Sequence, residues 1–408
     1  MTTTEQLYAR FKECTGICTD TRKIEPGCMF VALKGDKFNA NTFSQKALES
    51  GAKYAVIDER EYEVPGTLLV NDGLTALQDL ARHHRRQLGL PIVGLTGSNG
   101  KTTTKELIRA VLSEKYNVTA TVGNLNNHIG VPLTLLSFTE ETEIGIVEMG
   151  ANHQKEIELL CNIAEPNFGY ITNFGKAHLE GFGGVEGVIK GKSEMYAYLE
   201  AYTKMAFVNL DDPIQSERTA NLPRYTFSAK THSCDVFIDS ATANPMVTLS
   251  WHGHNIKSNL IGSYNAPNIA AAIAIGHYFK ISDDKIVHAI EHYIPNNNRS
   301  QLLQKGNNQI ILDAYNANPS SMMAAIDNFA GLDAASKIAI LGDMFELGPE
   351  SAAEHRKLSE HLADLTGITV YFVGKDFSAN PVAAPHLSYF TTFEEFATQF
   401  QRPENATV

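Results

Sequence analysis

Residues 96–103 read Thr-Gly-Ser-Asn-Gly-Lys-Thr-Thr, directly after the apolar run 92–95 and directly before the helix-patterned segment 104–113. Strand, glycine-rich turn and helix in that order make a cradle for phosphate. Glycines let successive backbone N–H groups face inward, and the helix start adds the positive end of its dipole. Such a unit commits the surrounding chain to an α/β fold with a mostly parallel sheet, because the strand must be buried between neighbours and the helix packed across it. The spacing is Gly-x-x-Gly-Lys-Thr-Thr, with Leu95 where the usual loop has its first glycine.

The chemistry of that loop names its residues. Gly97, Ser98, Asn99, Gly100, Lys101, Thr102 and Thr103 are the candidate nucleotide contacts; Lys101 would meet the β/γ-phosphates and the Thr102 hydroxyl a Mg²⁺ ion. A phosphate loop wants a carboxylate for its metal. Glu148 follows the apolar run 144–147, and strand ends in such sheets face the ligand crevice. Alone it reads as a solvated acid; beside the loop it reads as a metal ligand. His178, one of fourteen histidines, and Lys192 read by themselves as a structural histidine and a solvated lysine.

The chain has 408 residues, enough for roughly two to four domains. Residues 1–88 alternate short β-like runs (28–33, 54–57, 68–70) with helical spacing (43–50, 74–88), and Gly89-Leu90-Pro91 punctuates. Residues 89–297 carry strands at 92–95, 144–147, 170–172 and 206–209. The stretch 234–250 breaks the rhythm and predicts added antiparallel strands; 266–279 is an Ala/Ile helix. After the turn-rich 295–298, a candidate hinge, residues 298–408 repeat the rhythm with strands at 309–312, 337–341 and 370–373 and helices at 320–329 and 352–365. Thirty-four basic against forty-six acidic side chains give a net charge of −12, which argues against nucleic acid or a membrane surface as partner. No apolar run approaches the roughly 20 residues of a membrane span, and the N-terminus has no signal-peptide pattern, so a cytoplasmic protein is expected. Five cysteines, an odd number, argue against a disulfide framework.

Beyond the loop, several strings resemble the Mur ligase family of ATP-dependent amide-forming enzymes over almost the whole chain. They are Thr19-Asp20-Thr21-Arg22, Asn124-Leu125-Asn126-Asn127-His128, Glu148-Met149-Gly150-Ala151-Asn152-His153 and Ala177-His178-Leu179-Glu180-Gly181-Phe182. Gly191-Lys192-Ser193-Glu194, Asn298-Arg299-Ser300, Asp313-Ala314-Tyr315-Asn316-Ala317-Asn318-Pro319 and Gly342-Asp343-Met344 complete the set. The Asp-Ala-Tyr-Asn-Ala-Asn-Pro string favours the dipeptide-adding member over the ligases that precede it.

The resemblance implies three domains: an N-terminal UDP-sugar binder, a central ATPase and a C-terminal Rossmann-like domain. It implies UDP-N-acetylmuramoyl-tripeptide and D-alanyl-D-alanine as substrates in peptidoglycan precursor synthesis. ATP would activate the tripeptide carboxylate as an acyl phosphate, which the dipeptide amine displaces. Two Mg²⁺ sites are implied, one on Thr102 and Glu148, the other on His178 and Lys192, with Lys192 carrying a CO₂-derived carbamate. Lys101, His178, Lys192 and Arg299 would be catalytic, and Asn265, Asn268, Arg299 and Asp313 would contact adenosine. Thr21, Arg22, Asn126 and Asn127 would face the UDP substrate; Tyr315, Asn316 and Asn318 would face the dipeptide. A monomer is expected.

The sequence departs from the family pattern at Tyr264, where a histidine is usual, and at Asn39-Ala40-Asn41, where Asp-Gly-His is common. Relatives also continue past a strand such as 405–408, so the C-terminal domain is expected to lack its last segment. The alternative is another Mur-type or folylpolyglutamate-type ligase adding a single amino acid.

Overall fold

The computed structural model describes residues 1–296 and 299–408; the second expected boundary, at 297/298, and part of the expected hinge lie outside the described residues. Three parallel sheets follow one another along the chain. The first has the order Ile17–Cys18, Met29–Val31, Tyr54–Ile57, Thr67–Leu69. It is closed by the helix Gly73–Leu88, which starts where Asp72 accepts the Thr75 N–H and ends at Gly89 in the left-handed conformation. That helix also anchors the first unit to the second. Its buried Arg85 donates to the Ala164 and Glu165 carbonyls and to Asn167 Oδ1.

The second sheet has seven parallel strands in the order Val236–Phe237, Arg224–Ser228, Met205–Asn209, Phe168–Ile171, Ile92–Thr96, Ile144–Glu148, Val118–Ala120. Ile92–Thr96 is buried at every residue, as a central strand covered on both faces must be. Its neighbours, Phe168–Ile171 and Ile144–Glu148, place the loops that follow them at the same sheet edge as the glycine turn, where open α/β sheets bind their ligands. The stretch expected to be antiparallel divides: Val236–Phe237 extends the parallel sheet, and Ser240–Ala243, Met246–Trp251 and His254–Ile261 form a separate antiparallel sheet.

The third unit holds the hairpin Gln301–Lys305/Asn308–Leu312 and a parallel sheet of Ile338–Gly342, Thr369–Val373 and Leu387–Phe390. Thr407 bridges Gln309 and Lys337 and so joins hairpin to sheet. One helix start differs from expectation. The helix after the glycine turn runs Lys101–Ser113, three residues earlier than its β-branched Thr102, Thr103 and Thr104 suggest. All three threonines are buried, and packing overrides their weak helix propensity.

Candidate active site

The turn at 97–100 is shaped by close approach. A Cβ on Gly97, whose φ is 139°, would lie 2.0 Å from Thr172 Oγ1; one on Gly100, with φ 77°, would lie 2.8 Å from Asn268 Oδ1. Thr172 and Asn173 hold the turn from the neighbouring strand end. Thr172 Oγ1 donates to the Asn99 carbonyl at 2.6 Å, Asn173 Nδ2 donates to the same oxygen at 3.0 Å, and Asn173 Oδ1 accepts the Asn99 N–H at 3.2 Å. Pattern reading missed both residues, since only strand adjacency brings them to the loop.

Lys101 opens the helix, half-buried, and its ammonium donates to the Gly97 and Ser98 carbonyls at 2.8 and 3.1 Å. Burial lowers its pKa to about 8, with Arg299 adding to the effect and Glu148 opposing it. Glu148 is 1% exposed. Its Oε1 accepts from Asn126 Nδ2 at 2.9 Å and from Thr102 Oγ1 at 3.3 Å. Its Oε2 is buried with no partner among the described residues. A buried carboxylate oxygen left unpaired costs free energy, and a threonine hydroxyl beside it completes an all-oxygen donor pair of the kind a hard divalent cation takes. Thr102 and Glu148 therefore fit Mg²⁺.

These groups open into a cavity of about 800 Å³ that runs from the loop to the third unit. Ser98, Asn99, Gly100, Lys101 and Thr103 line one side, with Glu148, Asn126 and Asn127. Asn265 and Asn268 line the next wall. Asn268 Nδ2 donates to Asn265 Oδ1, and Asn265 Nδ2 donates to the Ile261 carbonyl, so both amides are fixed by buried bonds. Arg299, Asp313, Tyr315, Asn316 and Asn318 of the third unit complete the lining. The Arg299 guanidinium stacks 4.0 Å from the Tyr315 ring centroid. Burial raises the Asp313 pKa, which Arg299 opposes. Tyr264, in the position usual for histidine, bonds Ser300 Oγ at 2.8 Å, and Ser300 donates to Asp313; a tyrosine thus enters the cavity wall by a route the sequence did not reveal.

His178 also lines the cavity. Lys192 does not. It is 1% exposed behind Ala151, to whose carbonyl its Nζ donates at 3.0 Å, with the Phe182 ring 5.0 Å away. Burial and the nearby Lys101 charge hold its pKa well below the usual lysine value. Thr21 and Arg22 lie in the first unit and do not line the cavity; Arg22 is clamped by its own neighbour Asp20, whose pKa falls to about 2. Asn126 and Asn127, expected near the UDP substrate, both line the cavity; Asn126 Nδ2 donates to Glu148, and Asn127 Oδ1 accepts the Ile129 and Gly130 N–H groups.

Two family models match the chain: the Mur ligase middle domain over residues 95–276 and the Mur ligase glutamate ligase domain over residues 298–400. The UDP-N-acetylmuramoyl-tripeptide–D-alanyl-D-alanine ligase of Bacillus subtilis is 37% identical over 350 residues, 84% of this chain and 76% of that protein. The Escherichia coli enzyme of the same name is 35% identical over 379 residues, 90% of this chain and 83% of its own. Among solved structures, MurF from Acinetobacter baumannii superposes with a TM-score of 0.87 at 31% identity, covering 97% of this chain and 91% of that one. MurF from Thermotoga maritima in complex with ADP gives 0.83 at 25% identity, covering 96% and 93%. The likeness thus extends from the phosphate loop through all three sheets, and the chain belongs to the Mur ligase family.

Proposed function

We propose that the protein is an ATP-dependent ligase that joins D-alanyl-D-alanine to UDP-N-acetylmuramoyl-tripeptide, working in the cytoplasm as a monomer. The observation that carries this reading is the single cavity shared by the phosphate loop and the Asp313–Asn318 string. A γ-phosphate at Lys101 and an amine near Tyr315, Asn316 and Asn318 would meet in one cavity, which acyl transfer through a phosphorylated carboxylate requires. We assign residues 1–88 to UDP-sugar binding, 89–297 to ATP and 298–408 to the dipeptide, with Thr21, Arg22, Asn126 and Asn127 facing the UDP substrate.

A carboxylate is a poor acyl donor until phosphorylated. Its oxygen attacks the γ-phosphorus and ADP leaves; the dipeptide amine then displaces phosphate. Lys101 and Arg299 offset the charge of two approaching anions. Asn265, Asn268 and Asp313 would hold adenosine. Mg²⁺ on Thr102 and Glu148 supplies further charge neutralisation when bound.

We assign a second Mg²⁺ to His178 and to Lys192 as its carbamate. An ammonium at Lys192 would repel a cation, whereas a neutral buried amine is the form that adds CO₂ and becomes an oxygen ligand.

Incubation with ATP and each acceptor–amine pair, followed by phosphate release and product mass, tests the reading. Amide product is expected only with the tripeptide and D-alanyl-D-alanine. Turnover with single amino acids, and none with the dipeptide, would replace the reading with a folylpolyglutamate-type one.

A further inference from the structure

His178 stands at the sharp end of the 173–178 loop, with φ 53°, and the residue that faces it is Glu346 of the third unit, with φ 61°. Left-handed backbone at a non-glycine residue is strained and persists only where its surroundings hold it. Here the two strained residues hold each other. The Glu346 carboxylate bonds His178 Nδ1 across 168 residues of sequence, and the Glu346 carbonyl accepts the Glu180 N–H at 3.2 Å. The same loop is tied to the third unit twice more: Lys176 pairs with Glu354, and the Lys176 N–H donates to Ser320 Oγ at 2.8 Å.

An imidazole that is neutral carries one N–H, and the partner of one nitrogen decides which. A carboxylate accepts only, so the proton belongs on Nδ1 and the lone pair on Nε2. We propose that Glu346 is the positioning residue for His178, fixing its ring and its Nδ1–H tautomer so that Nε2 is left free to act as a ligand or acceptor in the cavity. This rests on the role given to His178 above. It adds that the third unit, by bringing Glu346 to the loop, renders the central unit's histidine competent. Burial acts most strongly against the charged form of His178; Glu346 opposes it, and Lys192 and Lys101 add to it. Carboxylate partners of this kind orient histidine ligands in metal sites, and their loss typically costs about 10–100-fold.

The competing account makes Glu346 a mere latch between units, equivalent to Glu354. Selective ¹⁵N-histidine labelling separates the two, with the His178 signals assigned by their loss in His178→Gln. Wild-type protein, Glu346→Gln and Glu354→Ala should show the Nδ1–H form, because the glutamine carbonyl still accepts that proton. Glu346→Ala should move toward the Nε2–H form. In the ligase assay, Glu346→Ala should lose about 10–100-fold in kcat, with KM for ATP within about twofold. Glu346→Gln should recover most of the loss. An unchanged tautomer in Glu346→Ala, or the same shift in Glu354→Ala, would overturn the proposal. The tautomer decides this even if the wild type makes no amide product, an outcome that would defeat the functional reading alone.

Discussion

Asn99 of the phosphate loop and Asn318 at the cap of the helix Pro319–Ala330 exchange amide hydrogen bonds across 219 residues of chain. Asn318 Nδ2 donates to Asn99 Oδ1 at 2.6 Å, and Asn99 Nδ2 donates back to Asn318 Oδ1 at 3.4 Å. Asn318 Oδ1 also accepts the Ser321 N–H at 2.9 Å, the bond that starts its helix. One side chain therefore ties the position of the nucleotide loop to the helix behind the proposed dipeptide site.

Asn318→Ala should lose both roles and cost about 1 kcal/mol of stability through the cap. Asn318→Ser keeps a capping oxygen but is too short to reach Asn99. Its unfolding midpoint should match the wild type while kcat falls about 5- to 30-fold, the equivalent of ~1–2 kcal/mol. Equal kcat in Asn318→Ser and wild type would show that the amide pair is a static contact without a part in turnover.

Lys101→Ala should abolish turnover and leave the fold intact, since among the described residues its ammonium bonds only carbonyls of its own loop. Retention of more than about a tenth of the wild-type rate, a loss of only ~1.4 kcal/mol of barrier lowering, would remove Lys101 from the phosphate site. The pH dependence has a definite sign. The Lys101 pKa is depressed to about 8, so raising the pH through 8 strips its proton in the free enzyme, and kcat/KM for ATP should fall. A profile that stays level across pH 8 would contradict this.

Lys192 offers a separate test because it is buried against Ala151. If it works as a carbamate, Lys192→Ala should be nearly inactive and partly restored by acetate, which can enter the vacated space and return carboxylate oxygens. Lys192→Arg should stay inactive, being larger and permanently charged. CO₂ removal should lower the wild-type rate. Full activity without CO₂, together with an active arginine variant, would return Lys192 to the role of an ordinary buried amine.

What the sequence revealed was local. The loop at 96–103 was legible because glycine spacing, the apolar strand before it and the helix after it are consecutive. Glu148 was legible because it ends a strand next to that one. The strands Gln301–Lys305 and Leu387–Phe390 were not. The first has only two apolar residues in five, Leu302 partly buried and Leu303 exposed, and the second lies at the edge of its sheet. Glu346 and Asn173 carry no pattern at all. Each acquires its partner only when distant strands or units come together, a contact that no spacing along the chain encodes.

The central claim is that the tripeptide carboxylate is phosphorylated before the amine attacks, and oxygen transfer tests it most directly. With ¹⁸O in both oxygens of the terminal carboxylate, one labelled oxygen bridges to phosphorus and departs with the phosphate. Mass analysis of the released phosphate should therefore show one ¹⁸O per amide formed, with the second retained in the new amide. Unlabelled phosphate accompanying labelled amide product would contradict the account.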